Sequence, residues 1–211
     1  MKKRTWLDQV KEEIVDPARE ICDAHHHLWE NEGSTYLLRE LTADIYTGHR
    51  VISTVFVECA AMFNADMSIE FAPVGEVEFV QGVAAMSSSG QYGVCRVAAG
   101  IVGFADLTLG ESVRPVLKAQ LSVAPNRFKG IRHTGGWHSS DLIKNSHSNP
   151  VEHQFLQDDF QTGFRVLAEM GLSFDAWCYH TQIPDVVELA KNNPDVNIIL
   201  DHFGGPLGIG P

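Results

Sequence analysis

The chain lacks the sequence features of a membrane or secreted protein. Its 211 residues contain no apolar run near the ~20 residues that a membrane-spanning helix needs, and the longest apolar runs lie at 51–57 and 97–105. The segment 1–14 begins with basic residues but has no apolar signal-peptide core, and it predicts a short amphipathic helix. We therefore expect a cytoplasmic protein with no membrane partner.

Basic residues are also scarce. The sequence has 16 Lys and Arg against 27 Asp and Glu, which gives a formal net charge of -11. Such a chain repels polyanions, so no nucleic-acid partner is expected. With 44% hydrophobic residues the chain can bury one sizeable core, and we predict a single domain over residues 1–211.

Motifs for disulfides and nucleotides are missing as well. Cys22, Cys59, Cys95 and Cys178 have no C-x-x-C spacing and lie in or beside apolar runs, which predicts reduced core thiols. Pairing of Cys178 with His180 as a catalytic thiol is the less favoured interpretation. No G-x-G-x-x-G turn follows the first apolar run, and the glycine-rich segment 204–210 lacks the Lys-Ser/Thr of a P-loop, which favours a tight turn there. No cofactor-binding residues are assigned for a nucleotide.

What the sequence does contain is an alternation of apolar, β-branched runs with helix-like segments. This alternation predicts an α/β fold with a parallel sheet, either doubly wound or a barrel. The predicted strands are 21–26, 51–59, 95–105, 127–133, 172–179 and 196–202. The predicted helices are Val74 to Met86, Glu111 to Leu121, Phe155 to Met170 and Pro184 to Asn192.

Polar side chains cluster at the downstream ends of these predicted strands, where (β/α) barrels place their active sites. This regularity favours the barrel over the doubly wound sheet. The residues concerned are His25, His27, Glu58, Asp106, Arg132, His133, His180, Asp201 and His202. The longest irregular segment, Thr134 to Gln154, is expected to cover substrate or to be disordered.

The run ICDAHHHLW at 21–29 has a clear geometric meaning if it forms a strand. Side chains alternate between faces, so His25 and His27 share one face with Asp23 while His26 points to the other. Two neutral imidazoles on one face can bind a divalent cation, and a nearby carboxylate can fix their tautomers. An H-x-H motif alone is a weak indication of a metal site, and the alternative is that these are hydrogen-bonded core or surface histidines.

Several longer blocks carry a resemblance to a known family. They are DAHHHLW at 23–29, TVFVECAAMF at 54–63, FKGIRHTGGW at 128–137, LSFDAWCYHTQIPDVVELA at 172–190 and ILDHFGGPLGIGP at 199–211. In this order they resemble the amidohydrolase-related (amidohydrolase 2) proteins, near their lactonase-like branch. The likeness extends over nearly the whole chain.

The resemblance implies a (β/α)₈ TIM barrel hydrolase with a site built from these histidines. His25, His27 and His180 would bind a divalent metal, with zinc favoured by ligand type, although a metal-free mechanism is known among such lactonases. His180 and His202 would act in catalysis. From the residues themselves, Arg132 could bind a substrate carboxylate or form a structural ion pair, and the same two alternatives hold for Glu58.

The chain departs from the family in one respect. The family's Asp at the end of the eighth barrel strand has no counterpart before Pro211, so about six of eight strand-helix units are expected and the sequence resembles a truncated barrel. Open sheet edges would favour association, hence a possible homo-oligomer. We expect residues 1–211 alone to have little activity, which lactone turnover at ordinary enzyme rates would refute.

Three functions remain open from the sequence. The leading one is a hydrolase that opens a lactone or similar cyclic ester of a small carboxylated or sugar-acid molecule. The second is a metal-dependent decarboxylase of an aromatic or muconate-type acid. The third is an inactive barrel that binds only a metal or a partner.

Overall fold

A computed structural model describes residues 10, 12–143 and 148–208 of the chain. Most of the predicted N-terminal helix lies outside the described residues. The main feature of the fold is a six-stranded sheet in which every neighbouring pair of strands is parallel. Its strands are β1 (Glu20–His26), β4 (Arg50–Val57), β5 (Arg96–Gly103), β6 (Phe128–Thr134), β7 (Ser173–Trp177) and β8 (Ile198–Leu200).

The sheet has the topology of an incomplete TIM barrel, as predicted. Its strands lie side by side in chain order, β1-β4-β5-β6-β7-β8, and helices connect them. This order follows when each parallel strand is joined to the next by a helix on the outer face. The downstream ends of all six strands therefore lie along one rim of the curled sheet.

The predicted helices are present with shifted ends. The five α-helices of the described residues are α1 (Leu38–Ile45), α2 (Val74–Ser88), α3 (Arg114–Val123), α4 (Asp158–Glu169) and α5 (Ile183–Asn192). The predicted 111–121 helix is divided, because a 3₁₀ segment, Leu107–Val113, precedes α3 and contains Gly110 with φ 57°. Helix α4 begins three residues later than predicted, after the short 3₁₀ turn Gln154–Leu156.

Sequence reasoning missed the segment between the first two barrel strands. This segment forms an antiparallel hairpin of β2 (Trp29–Asn31) and β3 (Ser34–Tyr36), followed by α1. The rings of Trp29 and Tyr36 stack with centroids 4.9 Å apart. Elements of three residues are too short to give a periodic pattern, which explains the omission.

The hydrophobic core lies between the outer face of the sheet and the helices. A group of aromatic rings fills the space between α4 and β7, with centroid separations of 5.1 to 6.3 Å between contacting rings. These rings belong to Phe155, Phe160, Phe164 and Phe174, all 0 to 1% exposed. The core therefore fixes α4 on the outer face of the sheet.

The two outermost strands of the sheet are only partly covered, and this corrects one prediction. Cys95 and Cys178 are buried as expected, but Cys22 is exposed on β1 and Cys59 is half-buried. Cys22 lies near the start of β1, an edge strand of the sheet, so an apolar run there does not imply burial. All four cysteines are free thiols.

Candidate functional site

The side chains of His25 and His27 converge at the downstream end of β1. Their Nε2 atoms are 3.2 Å apart, and their rings meet edge to face. Two nitrogen ligands of a tetrahedral zinc ion, each at 2.0 to 2.1 Å, are about 3.3 Å from each other. The pair therefore has the separation that two ligands of one small cation require.

The other ring nitrogens of this pair both face oxygen acceptors. His27 Nδ1 lies 2.6 Å from the carbonyl oxygen of Val57, and His25 Nδ1 lies 3.7 Å from Asp201 Oδ1. A proton on His27 Nδ1 would donate to the carbonyl oxygen of Val57 and leave a lone pair on its Nε2, and a proton on His25 Nδ1 would face the Asp201 carboxylate without a hydrogen bond at this distance. The sequence argument assigned this orienting role to Asp23, but Asp23 Oδ1 accepts the backbone N–H of His25 instead.

Electrostatics keep both imidazoles neutral. Burial, together with the neighbouring His27 and Arg132, lowers the pKa of His25 to about 3. Burial also lowers the pKa of His27. Metal ligands must be deprotonated, so both rings are in the ligand form at neutral pH.

His26 points away from this pair, as strand alternation predicted. It is buried on the helix-facing side of β1, where its Nε2 lies 2.8 Å from Thr54 Oγ1 and its ring packs edge to face on Phe56. The Thr54 hydroxyl also accepts the backbone N–H of Ala98 in β5. His26 is therefore a core histidine that links three strands.

A second set of potential ligands includes His25 as well. His25, Asp201 and His202 each offer one ligand atom, and these atoms all lie within 4.8 Å of one another. The rings of His25 and His202 have centroids 4.8 Å apart. Asp201 and His202 form a 3₁₀ turn directly after β8, in which His202 has a left-handed backbone with φ 50°. His25 is thus within reach of ligands from both edges of the curled sheet.

His180 is placed differently from the other predicted histidines. It is exposed in the 3₁₀ turn His180–Gln182, and its Nδ1 accepts the backbone N–H of Leu207 at 3.3 Å. It is not a member of the group formed by His25, Asp201 and His202. Its metal-binding and catalytic roles stay predictions.

Arg132 and Glu58 form an ion pair beside the histidines. Arg132 Nε donates to Glu58 Oε1 at 2.8 Å, and its Nη2 donates to the backbone carbonyl oxygen of Glu58. The remaining nitrogen, Nη1, lies 3.4 Å from His25 Nε2 and 3.6 Å from Asp201 Oδ2. Glu58 is only 2% exposed, so this geometry agrees with the structural ion pair, one of the two alternatives open from the sequence.

Two carboxyl groups were not chosen as site residues from the sequence. Asp201 was recognised only as a strand-end residue, yet it contacts both His25 and Arg132. Asp175 lies opposite Arg132 in the β6–β7 register, is buried, and its pKa is raised to about 7 by burial and by Asp201. Burial also raises the pKa of Asp201. The alternation within LSFDAW could have indicated that Asp175 faces the interior.

A separate cavity of 570 Å³ lies outside the histidine group. It contains Asp106 and His133 at the ends of β5 and β6, and part of the 134–154 loop lines it. His133 Nε2 lies 3.4 Å from Asp106 Oδ1. Burial would raise the pKa of Asp106, but hydrogen bonds from His133 and Thr108 outweigh burial and lower it to about 2. These two strand-end residues therefore face the helix layer and do not join the histidines.

Comparison with known proteins finds one similar sequence and several similar solved structures. The chain is 29% identical over 206 residues to the uncharacterized protein y4mH of Sinorhizobium fredii. This alignment covers 87% of this chain and 62% of that protein. It resembles the structure of amidohydrolase 2 from Bifidobacterium longum subsp. infantis, with a TM-score of 0.51, 17% identity, and coverage of 90% of this chain and 64% of that one.

A second similar structure is an amidohydrolase from Burkholderia multivorans that was crystallised with bound zinc. The TM-score is 0.56 at 19% identity, and the match covers 87% of this chain and 57% of that one. At these identities the structures establish the fold, and the chain spans about three fifths of the length of each relative.

No helix in the described residues is both long and apolar enough to cross a bilayer. The model of the amidohydrolase family matches residues 22–208, which include the paired histidines of β1, the Arg132–Glu58 pair and the turn after β8. On this match and on the barrel topology, the chain belongs to the amidohydrolase family.

Proposed function

We propose that this chain carries the metal site of a hydrolase that opens a lactone, or a similar cyclic ester, of a small carboxylated or sugar-acid substrate. The observation that supports it most is the convergence of two neutral Nε2 atoms at 3.2 Å. Such a pair of lone pairs is unfavourable unless a cation or a proton lies between them. Family membership and the zinc in the Burkholderia structure add support for zinc.

The residues present fit a divalent cation. His25 and His27 would hold it through Nε2, and Asp201 and His202 each offer a ligand atom within 4.8 Å of one of His25. A bound cation would supply Lewis-acid polarisation of a carbonyl group. Arg132 is paired with Glu58, and only its Nη1 faces the site, so any contact of a substrate carboxylate with this side chain would be made through Nη1.

Zinc binding to the purified chain tests the metal site. Isothermal titration should give one zinc ion per chain in wild type, with an affinity that His27→Ala weakens by at least about tenfold, since one of two converging ligands is lost. His26→Gln is the matched control, because that ring neighbours both ligands but faces the core. Equal zinc affinity for wild type and His27→Ala would contradict the proposal.

Acid release from a lactone panel tests the reaction. A pH-indicator assay with zinc-loaded protein should show a rate that depends on His27, so wild type and His27→Ala are compared directly. The comparison does not require the rate of a complete barrel. Acid release that exceeds the buffer rate equally in both proteins would show that His27 takes no part in the reaction and would contradict the proposal. Carbon dioxide release from aromatic or muconate-type acids in its place would favour the decarboxylase.

A further inference from the structure

Glu76 is a fully buried carboxyl group that lies outside the histidine group. It is in the first turn of α2 and is 0% exposed. Its Oε1 accepts two backbone N–H groups, from Cys59 at 3.0 Å and from Ala61 at 2.8 Å. A carboxyl group is costly to bury unless it accepts such bonds, so these two bonds account for its place in the fold.

The loop held by Glu76 has an unusual backbone. Ala60 and Met62 both have left-handed conformations, with φ 59° and 56°, which side chains other than glycine rarely adopt. The loop also lies directly on the start of α2, since a Cβ atom at Gly75 would be 2.7 Å from the carbonyl oxygen of Met62. Strained backbone of this kind persists only where surrounding contacts fix it, and Glu76 provides two of them.

One peptide group connects Glu76 with Arg132. The peptide between residues 58 and 59 has its carbonyl oxygen on Glu58 and its N–H on Cys59. Arg132 Nη2 donates to that oxygen, and that N–H donates to Glu76 Oε1. Because a peptide group is rigid and planar, a guanidinium and a carboxyl group bonded to its two ends fix each other's positions.

We propose that Glu76 is a positioning residue that holds Arg132, through this single peptide group, beside His25 and Asp201. The inference rests on the proposed function, because it gives Glu76 a role in shaping the same site. Arg132 Nη1 lies 3.4 Å from His25 Nε2 and 3.6 Å from Asp201 Oδ2, so a displaced guanidinium would change the surroundings of both groups. The backbone N–H of Glu58 is fixed from the other side by the carbonyl oxygen of Val102 at 2.8 Å.

The measurement is the rate at which the Arg132 Nε–H proton exchanges with water, followed by its signal in ¹H–¹⁵N NMR spectra. The signal is assigned by its loss in Arg132→Lys. We expect Glu76→Ala to speed its exchange with water by at least about tenfold, because the Glu58 peptide loses its support. Glu76→Gln retains an oxygen that accepts the same two N–H groups and should preserve slow exchange. Glu78→Ala, on the exposed side of the same helix, is the control.

Two results would contradict a positioning role for Glu76. Folded Glu76→Ala with unchanged Arg132 exchange would overturn the proposal, and so would Glu76→Gln behaving like Glu76→Ala. If Glu76→Ala does not fold, Glu76→Asp replaces it: the shorter side chain cannot hold both N–H groups, and unchanged exchange in that variant also overturns the proposal. Lactone turnover is measured in parallel. Absent turnover in wild type counts against the proposed function only, since the Arg132 signal does not depend on it.

Discussion

At the scale of single residues, three consecutive histidines have two opposite roles. Alternation along β1 directs His25 and His27 to the concave inner face of the curled sheet, and it directs His26 to the outer face, where the hydrophobic core lies. Burial lowers the pKa of His26 to about 4. Since the unfolded chain protonates this ring at about pH 6.5, the folded state binds fewer protons between these values.

We therefore predict that His26 makes the protein less stable as pH falls from 6.5 towards 4. The contribution of the His26 ring to the free energy of unfolding should fall by about 2 kcal/mol between pH 7 and pH 5. Glu76 and Asp175, whose pKa values are raised to about 7, act in the opposite sense, so wild type alone cannot show the effect. The measurement is the difference between wild type and His26→Gln in urea unfolding at both pH values.

The control for this comparison is His49→Gln, which removes an exposed histidine. The pH dependence of that variant should follow wild type. An equal pH dependence for wild type and His26→Gln would show that the His26 ring does not resist protonation in the fold.

At the scale of elements, the contact between α4 and the 3₁₀ segment Leu107–Val113 depends on a glycine. A Cβ atom at Gly163 would lie 2.2 Å from the carbonyl oxygen of Leu107. A backbone atom cannot move aside as a flexible side chain can, so the helix itself would have to shift. The glycine is thus required by packing, although it weakens an isolated helix.

We predict that Gly163→Ala destabilises the protein by about 1–3 kcal/mol, despite the better helix propensity of alanine. Gly82→Ala is the matched control. Gly82 lies within α2, and a Cβ atom there meets nothing within 4 Å. The control should raise the free energy of unfolding by about 0.5–1 kcal/mol. Thermal unfolding of both variants measures the contrast, and stabilisation by both would refute the packing argument.

Elements with strong periodicity were predictable from the sequence, and those set by long-range contacts were not. The apolar run before Glu58 located β4, and the alternation in HHH predicted that His25 and His27 share a face opposite to that of His26. The contact of Asp201 with His25 depends on how far the sheet curls, and that curvature cannot be predicted from a local sequence pattern. The pairing of Arg132 with Glu58 likewise depends on register between strands that are not neighbours in the sheet.

At the scale of the whole molecule, the sheet has two edges, β1 and β8, with no strand beyond them in the described residues. Apolar side chains are exposed at one of them, with Ile199 44% and Leu200 40% accessible. Unpaired edges of this kind invite pairing with another chain. The homo-oligomer expected from the sequence stays a prediction.

We predict concentration-dependent self-association through the β8 edge. Leu200→Lys should reduce it, because a charge on an edge strand disfavours pairing. Val94→Lys is the control, since Val94 is 91% exposed but lies before β5, inside the sheet order. Sedimentation velocity over a range of concentrations distinguishes the variants. Unchanged association in Leu200→Lys would place the contact elsewhere.

The meeting of His25 with Asp201 and His202 joins the first strand of the sheet to its last across the open side. A cation shared by these residues would act as a reversible cross-link that closes a loop of about 176 residues, for which chain entropy allows up to about 5 kcal/mol of stabilisation. The ion would then hold together two edge strands that do not pair with each other in the part of the chain that the structure describes, and chelators would loosen the sheet itself as well as empty its site.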